Sequence, residues 1–377
     1  MCQHSRRHFL GRLVAGATLL EEALYRAGLA RAQSTGSSAA LFDIEQAAPH
    51  VWIALARPAV MINANAVIFE QSDGLVVVDT HSKPSAAAAL IAQIRDEVSP
   101  KPVRFLINTH FHYDHTQGTA AYLKLDPRPA IISSEDTRIL MRELSPVRVK
   151  ASLAAMQAQL ESARGRVAPS KDPLVRLRWG RFVVDSEAYI REMENFEAVL
   201  PGITFDGPSM VLLDKMQDLH LVFRGRGHTA SDICVWSPRS RVLATGDLLA
   251  GFVPGMGDGY PLDWPATLRK LGELEFAKVL PGHGVIQDGK GHLRDTVAYL
   301  DELNDAVARA KRAGRTLEEA QHTVTPASLK AFAGEFGAYV ERMETRFRLL
   351  KPDTTIKEHL EQSVRANVAA AYRAASA

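Results

Sequence analysis

Between residues 107 and 118 the chain reads INTHFHYDHTQG, which places His110, His112, Asp114 and His115 within six consecutive positions. A single histidine is most often a partly buried polar residue of the fold. The pattern H-x-H-x-D-H is different, because alternate side chains on an extended stretch share a face. His110 and His112 can therefore face one point, while Asp114 and His115, on the turn beyond, face a second point nearby. Burying such a cluster without compensation is costly, and a shared cation removes that cost. Neutral imidazole and carboxylate together form the donor set for zinc, and also for iron or manganese.

Three later residues fit the same chemistry. His228 in GRGHTASD, Asp247 at the end of RVLATGD and His283 in VLPGHG each follow an apolar strand pattern. Taken singly, His228 reads as a loop histidine and Asp247 as a helix N-cap. Strand tips, however, let a rigid sheet bring donors from distant segments to one place. Glycines beside His283 permit the close approach this requires.

The elements that must hold these residues are legible from periodicity. NAVIFEQSDGLVVVD carries two β-branched runs around Ser72-Asp73-Gly74, a hairpin pattern. SKPSAAAALIAQIRDEV follows as a helix, with Ser82 as the expected N-cap and Pro84 in the first turn. VRFLINT predicts a buried strand with the histidine cluster on the loop at its end, and AIISS predicts another, leading into the helical EDTRILMRELS. Residues 145–200 change to helical spacing and read as an insertion that covers a site mouth or forms a dimer surface. Strands resume at MVLLD, LHLVFR, DICVWS, RVLATGD and AKVLPGHG, and the pattern beyond residue 290 is helical. Two groups of strands, each flanked by helices, predict an α/β fold of two sheets covered on their outer faces.

Composition sets the outer bounds. With 377 residues, 46% hydrophobic and 23% charged, the chain has ample material for a core. A formal charge of +2 and the lack of a basic arm argue against a nucleic-acid partner and for a small-molecule substrate. The two cysteines, Cys2 and Cys234, fall in a segment expected to be removed and in the apolar strand DICVW, where Cys234 reads as core packing. Phe252, Met256, Tyr260 and Trp264, in the Gly- and Pro-rich stretch after Asp247, read either as an apolar substrate pocket or as loop anchors. The C-terminal EHLEQSVRANVAAAYRAA has amphipathic spacing, suited to packing or to a homodimer surface.

The N-terminus combines a basic start, a short apolar stretch and Ala30-Arg31-Ala32 as a small-x-small cleavage site. SRRHFL, with Arg6 and Arg7 as the pair, resembles a twin-arginine export signal. That resemblance implies a signal peptide over residues 1–32 and a mature protein in the periplasm or outside the cell, while the small polar QSTGSSAA that follows reads as the start of a linker over 33–48. The apolar stretch is too short and interrupted to remain as a membrane span, and no other stretch is long and apolar enough.

Taken in order, H-x-H-x-D-H at 110–115, His228, Asp247 and His283, with GLVVVDT, GHT, TGD and PGHG, resemble the metallo-β-lactamase-fold hydrolase superfamily. The resemblance covers about residues 50–290. It implies a four-layer αββα sandwich as catalytic domain over 49–290, the helical insertion within it, and a C-terminal helical extension over 291–377. It further implies two divalent ions, zinc foremost, with iron or manganese as alternatives. His110, His112 and His228 would hold one ion, Asp114, His115 and His283 the other, and Asp247 would bridge them. Asp79, in VVVDT, matches an aspartate that supports the ligands from behind. The implied reaction is attack on an ester, lactone, amide or β-lactam bond by a hydroxide held between the ions, which Asp114 orients.

The combination of His115 with Asp247 is less similar to β-lactamases with a cysteine ligand than to glyoxalase II and lactonases. No region resembles a glutathione-binding module. An iron-dependent oxidoreductase of the persulfide dioxygenase type is the alternative on the same fold. The flavodiiron pattern H-x-E-x-D-H does not match, since position 112 is histidine.

Overall fold

The computed structural model describes residues 41–57, 64–167, 173–347 and 355–375. The signal expected over 1–32 lies outside the described residues. The first sheet takes its strands in chain order: β1 (Phe42–Ala48), β2 (Val51–Ala56), β3 (Ala66–Gln71), β4 (Gly74–Val78), β5 (Val103–Ile107), β6 (Ala130–Ser134) and β7 (Ile203–Phe205). Pairing is antiparallel from β1 to β4 and parallel from β4 to β7. The second sheet runs β13-β12-β11-β10-β9-β8, built from β8 (Ser209–Leu212), β9 (Leu219–Phe223), β10 (Ile233–Ser237), β11 (Val242–Gly246), β12 (Lys278–Pro281) and β13 (Gln287–Asp288). Only β11 and β12 pair in parallel there.

Alternation along the strands divides the core into layers. Val67 and Phe69 of β3 and Val76 and Val78 of β4 meet Leu221, Ile233, Val235 and Ala244 between the two sheets. The intervening Ile68 and Val77 face outward, against α1 (Pro84–Glu97) and the short α2 (Tyr113–Thr116) to α3 (Thr119–Tyr122) stretch, where Leu90, Ile94 and Tyr122 cover them. Two long helices follow β6: α4 (Glu135–Val167) and α5 (Pro173–Met193). Over the outer face of the second sheet lie α6 (Trp264–Gly272), α7 (Gly291–Arg312), α8 (Leu317–Thr323), α9 (Lys330–Ala333), α10 (Glu335–Phe347) and α11 (Ile356–Ala374). Cys234, Leu243 and Val279 of that sheet share one cluster with Trp264, Leu300, Val340 and Val364. Helix, sheet, sheet, helix is the αββα order expected, and Cys234 is core packing. The C-terminal helices complete the outer layer on the second sheet.

Three local expectations are corrected. Of the linker expected over 33–48, residues 33–40 lie outside the described residues, and Phe42–Ala48 is instead an edge strand paired to β2. Asp43, Glu45 and Gln46 give it the polar look of a linker, but an edge strand keeps one solvated face. The helical insertion expected from 145 is continuous with the helix expected at EDTRILMRELS: β6 runs directly into α4, with Glu135 and Asp136 in the first turn. Acidic residues there favour the positive end of a helix dipole. The N-cap of α1 is Lys83, not Ser82, and no side-chain capping bond is made from that position. Instead Glu192, from α5, accepts from Ser85 N at 2.6 Å and Ser85 Oγ at 2.7 Å. A carboxylate from a distant helix thus satisfies an otherwise unpaired N–H.

Candidate metal centre

Every expected donor emerges at the same edge of the sandwich, beyond the C-terminal ends of β4, β5, β9, β11 and β12. Parallel strands direct their ends to one side, which is where open α/β sheets build sites. The two sheets are stitched there, with Ile233 N donating to Thr109 O at 2.9 Å.

Three donor groups converge. His110, His112 and His228 form one; Asp114, His115 and His283 a second; His110, His115 and Asp247 a third, with the donor atoms of each group within 4.8 Å of one another. His112 Nδ1 and His228 Nε2 are 2.9 Å apart. Asp247 lies between the two triads: its Oδ2 is 3.5 Å from His228 Nε2 and 3.2 Å from His283 Nε2, and its Oδ1 is 3.3 Å from His115 Nε2. Asp114 Oδ2 is 3.3 Å from His283 Nε2.

Behind the donors stands a layer of acceptors that sets the tautomers. Asp79 Oδ2 accepts from His115 Nδ1 at 2.7 Å and from Thr109 Oγ1 at 2.9 Å. With its proton so committed, Thr109 Oγ1 accepts from His110 Nδ1 at 3.0 Å. Gly255 O accepts from His228 Nδ1 at 2.9 Å. Asp258 Oδ2 accepts from His112 Nε2 at 2.9 Å, and Arg148 donates to both oxygens of that carboxylate at 2.8 and 2.7 Å. Each of these four rings has its outer nitrogen tied to an acceptor, so in the neutral ring it is the inner nitrogen that presents a lone pair to the centre. His110 Nε2, His115 Nε2 and Asp247 Oδ1 are buried and make no hydrogen bond within the protein. Leaving such groups unsatisfied costs on the order of 1–3 kcal/mol each. The donor set therefore fits divalent cations, with three imidazoles at one position and imidazoles with carboxylates at the other.

Burial lowers the pKa values of His110, His112 and His228, and neighbouring imidazoles add to the effect, so these rings are held neutral. At the second triad burial also opposes charge, but carboxylates win. Asp247 and Asp114 push His283 up to about 9, and with Asp79 they raise His115 well above its ordinary value. Burial opposes ionisation of Asp114 as well, yet His115 and His283 hold its carboxyl down at about 2. The first triad is thus ready for a cation, whereas protons occupy the second until a cation displaces them.

Backbone geometry serves the same end. Asp79 and His81 adopt φ of 65° and 67°, a conformation that non-glycine residues hold only when their surroundings enforce it. A Cβ at Gly282 would lie 2.4 Å from Asp247 Oδ1 and 2.8 Å from His115 Cε1, so only glycine passes beside these donors. Asn65 braces the His283 loop: its Nδ2 donates to Pro281 O and Gly284 O, both at 2.9 Å, and its N donates to Gly282 O at 2.7 Å. Of the four residues read as pocket or anchor, Phe252, Met256 and Trp264 are buried, and Trp264 Nε1 donates to Leu248 O at 3.0 Å. Trp264 packs edge-on to His228 and Phe252 lies beside His283, making them walls for the imidazoles.

All seven residues expected as ligands, and Asp79 behind them, thus meet at one place. Sequence reasoning missed Asp258, Arg148 and Asn65, and gave Thr109, a polar neighbour within the cluster, no role of its own. Thr109 and Asn65 stand beside elements that were recognised; Asp258 and Arg148 carry no local pattern at all.

Residues 61–283 match the model of the metallo-beta-lactamase superfamily. The chain belongs to that superfamily. Membership supports a metal-dependent hydrolase and agrees with the αββα layering. Among curated proteins, this superfamily member is 23% identical over 279 residues to the linear primary-alkylsulfatase of Pseudomonas sp. (strain ATCC 19151), covering 67% of this chain. It spans about half of that relative's length, 48%. It is 24% identical over 249 residues to the metallo-beta-lactamase type 2 of Bacillus cereus, covering 63% of this chain and 73% of the relative. Among solved structures, the metallo-beta-lactamase from Pontibacter korlensis superposes with a TM-score of 0.50 at 20% identity, covering 69% of this chain and 99% of that one, a likeness of fold. Among the described residues no helix is long and apolar enough to cross a membrane.

Proposed function

We propose that the protein is an exported binuclear metal-dependent hydrolase that cleaves an ester, lactone, amide or β-lactam type bond in a small molecule. The observation that carries this reading is Asp247, whose two carboxylate oxygens reach donors of both triads. One triad alone would serve a single ion; a shared carboxylate favours two. Zinc suits the imidazole-rich first position, and the full second triad argues against the single redox iron of the persulfide dioxygenase alternative. When bound, a pair of divalent cations lowers the pKa of a water and polarises the scissile group.

The chain's own residues supply the rest. Asp114, ionised across the neutral range, accepts a hydrogen bond from the attacking water, orients it, takes up its proton and returns that proton to the leaving group as the bond breaks. Asp79 and Asp258 keep the imidazoles in one tautomer, so their lone pairs need no reorganisation during turnover. The ligand set of His115 with Asp247 and without cysteine supports a glyoxalase II- or lactonase-like chemistry. The N-terminal SRRHFL and A-x-A site support export to the periplasm.

The test is elemental analysis of the purified mature protein, followed by a hydrolysis screen over lactones, thioesters, phosphodiesters, primary alkyl sulfates and β-lactams. Alkyl sulfates and β-lactams are included because two relatives are named for them. Two divalent ions per chain with turnover of one class is the expected result. A single iron with oxygen consumption would replace this reading by the oxidoreductase one, and silence across the panel with both positions loaded would count against hydrolysis.

A further inference from the structure

The residues between the ligands of H-x-H-x-D-H have an orderly fate of their own. His110, His112 and Asp114 turn toward the centre, while Phe111 and Tyr113 turn away from it and into the helical insertion. Phe111 packs with Met141 and Leu144 of α4. Tyr113 packs against the core shared by α4 and α5, which contains Met156, Phe182 and Tyr189. The alternation that aims two imidazoles inward therefore lodges their neighbours in the insertion.

A polar connection runs beside this apolar one. From α4, the Arg148 guanidinium lies 5.0 Å from the Phe111 ring centroid and donates twice to Asp258. Asp258 in turn accepts from His112 Nε2, closing a chain from the insertion to an expected metal ligand. The Asp258 and Arg148 side chains are only 12% and 23% exposed. A pair this buried is weak grounds for a purely stabilising role, because desolvation offsets much of the attraction. What the fork geometry does secure is direction. A carboxylate holding two parallel guanidinium bonds keeps one orientation, so the His112 Nε2–H has one line along which to donate.

We propose that Arg148 is a positioning residue for the metal centre: acting through Asp258 it fixes the ring plane and tautomer of His112, making the α4–α5 pair a working part of the site. This inference rests on the reading of the three imidazoles as a metal position and deepens it. It assigns to the insertion a task beyond covering a mouth or forming a dimer.

The test uses the full mature chain, stripped of metal and titrated with cobalt alone, and compares the wild type with Arg148→Gln, Arg148→Lys, Asp258→Asn and Glu192→Gln. Glu192 ties α5 to the start of α1 without touching Asp258, so its variant reports general loosening of the helix pair. Loss of such an outer partner typically weakens metal affinity about 10- to 100-fold. Arg148→Gln and Asp258→Asn are expected to show that loss, with an altered visible cobalt spectrum at saturation. Arg148→Lys should recover part of it, since it restores charge but not the fork. Glu192→Gln should stay within about twofold of wild type, well short of that range. Wild-type affinity and spectrum in Arg148→Gln would overturn the proposal, as would an equal loss in Glu192→Gln. A wild type that takes up no cobalt would instead remove the metal reading itself, a result distinguishable from either.

Discussion

His112 and His228 aim ring nitrogens at each other across 2.9 Å, although each ring has already committed its other nitrogen to an acceptor, Asp258 and Gly255 O respectively. With both rings neutral, two lone pairs face one another, an arrangement a cation turns from repulsive to favourable. Metal removal should therefore loosen the protein, and chelator should lower the midpoint of thermal unfolding. Zinc at about 100 times its dissociation constant should restore about 2.7 kcal/mol per independent site. Scanning calorimetry at several zinc concentrations checks this. A midpoint indifferent to zinc would contradict it.

Asp114→Asn should keep the fold and lose most turnover. The substitution preserves size but removes the acceptor that takes the proton from water, a role worth about 10²- to 10⁴-fold. Circular dichroism and kcat on whichever substrate the screen identifies separate the two effects. An unchanged kcat would remove Asp114 from the proton transfer.

Uptake at the two positions should respond differently to pH. His283, raised to about 9, and His115, also raised, hold protons that a cation must displace. Affinity at the Asp114/His115/His283 position should thus climb as pH rises through the range in which these raised imidazoles lose their protons, about 9 for His283. The rings of the first triad, lowered by burial, are neutral at pH 7 and release little. Calorimetric titration in buffers of different ionisation enthalpy counts the protons, and equal release at both steps would refute the assignment. In the metal-free protein the sign is reversed. A raised imidazole pKa gives stability that is complete at acid pH and is lost as pH passes through about 9.

Asp79→Asn should weaken metal binding about 10- to 100-fold. One carboxylate here serves His115 Nδ1, Thr109 Oγ1 and Thr109 N, and through Thr109 it fixes the His110 tautomer. Both metal positions should suffer together, which titration of each ion resolves. Loss at one position alone would show that the Thr109 link is idle.

Gly282→Ala should cost about 1–3 kcal/mol and reduce metal occupancy, because the added methyl meets Asp247 and His115 and cannot be accommodated by a flexible neighbour. Urea unfolding with elemental analysis measures both. Full occupancy at wild-type stability would mean the loop relaxes freely.

The amino-acid sequence by itself determined the donors and the layers. H-x-H-x-D-H announces itself because its residues are neighbours, and His228, Asp247 and His283 stand at strand tips whose apolar runs are plain in the chain. Alternating and helical periodicities fixed two covered sheets for the same reason: burial of a face repeats at short range. Only the tertiary structure decided what lies behind the donors. Asp258 is 146 residues from His112 and 110 from Arg148, and a single aspartate among glycines or a single arginine on a long helix has no local mark. The edge strand Phe42–Ala48 was hidden likewise, since its polar face imitates a linker until β2 pairs with it. Short-range spacing shows which groups can bind; long-range packing alone shows which groups hold them in place.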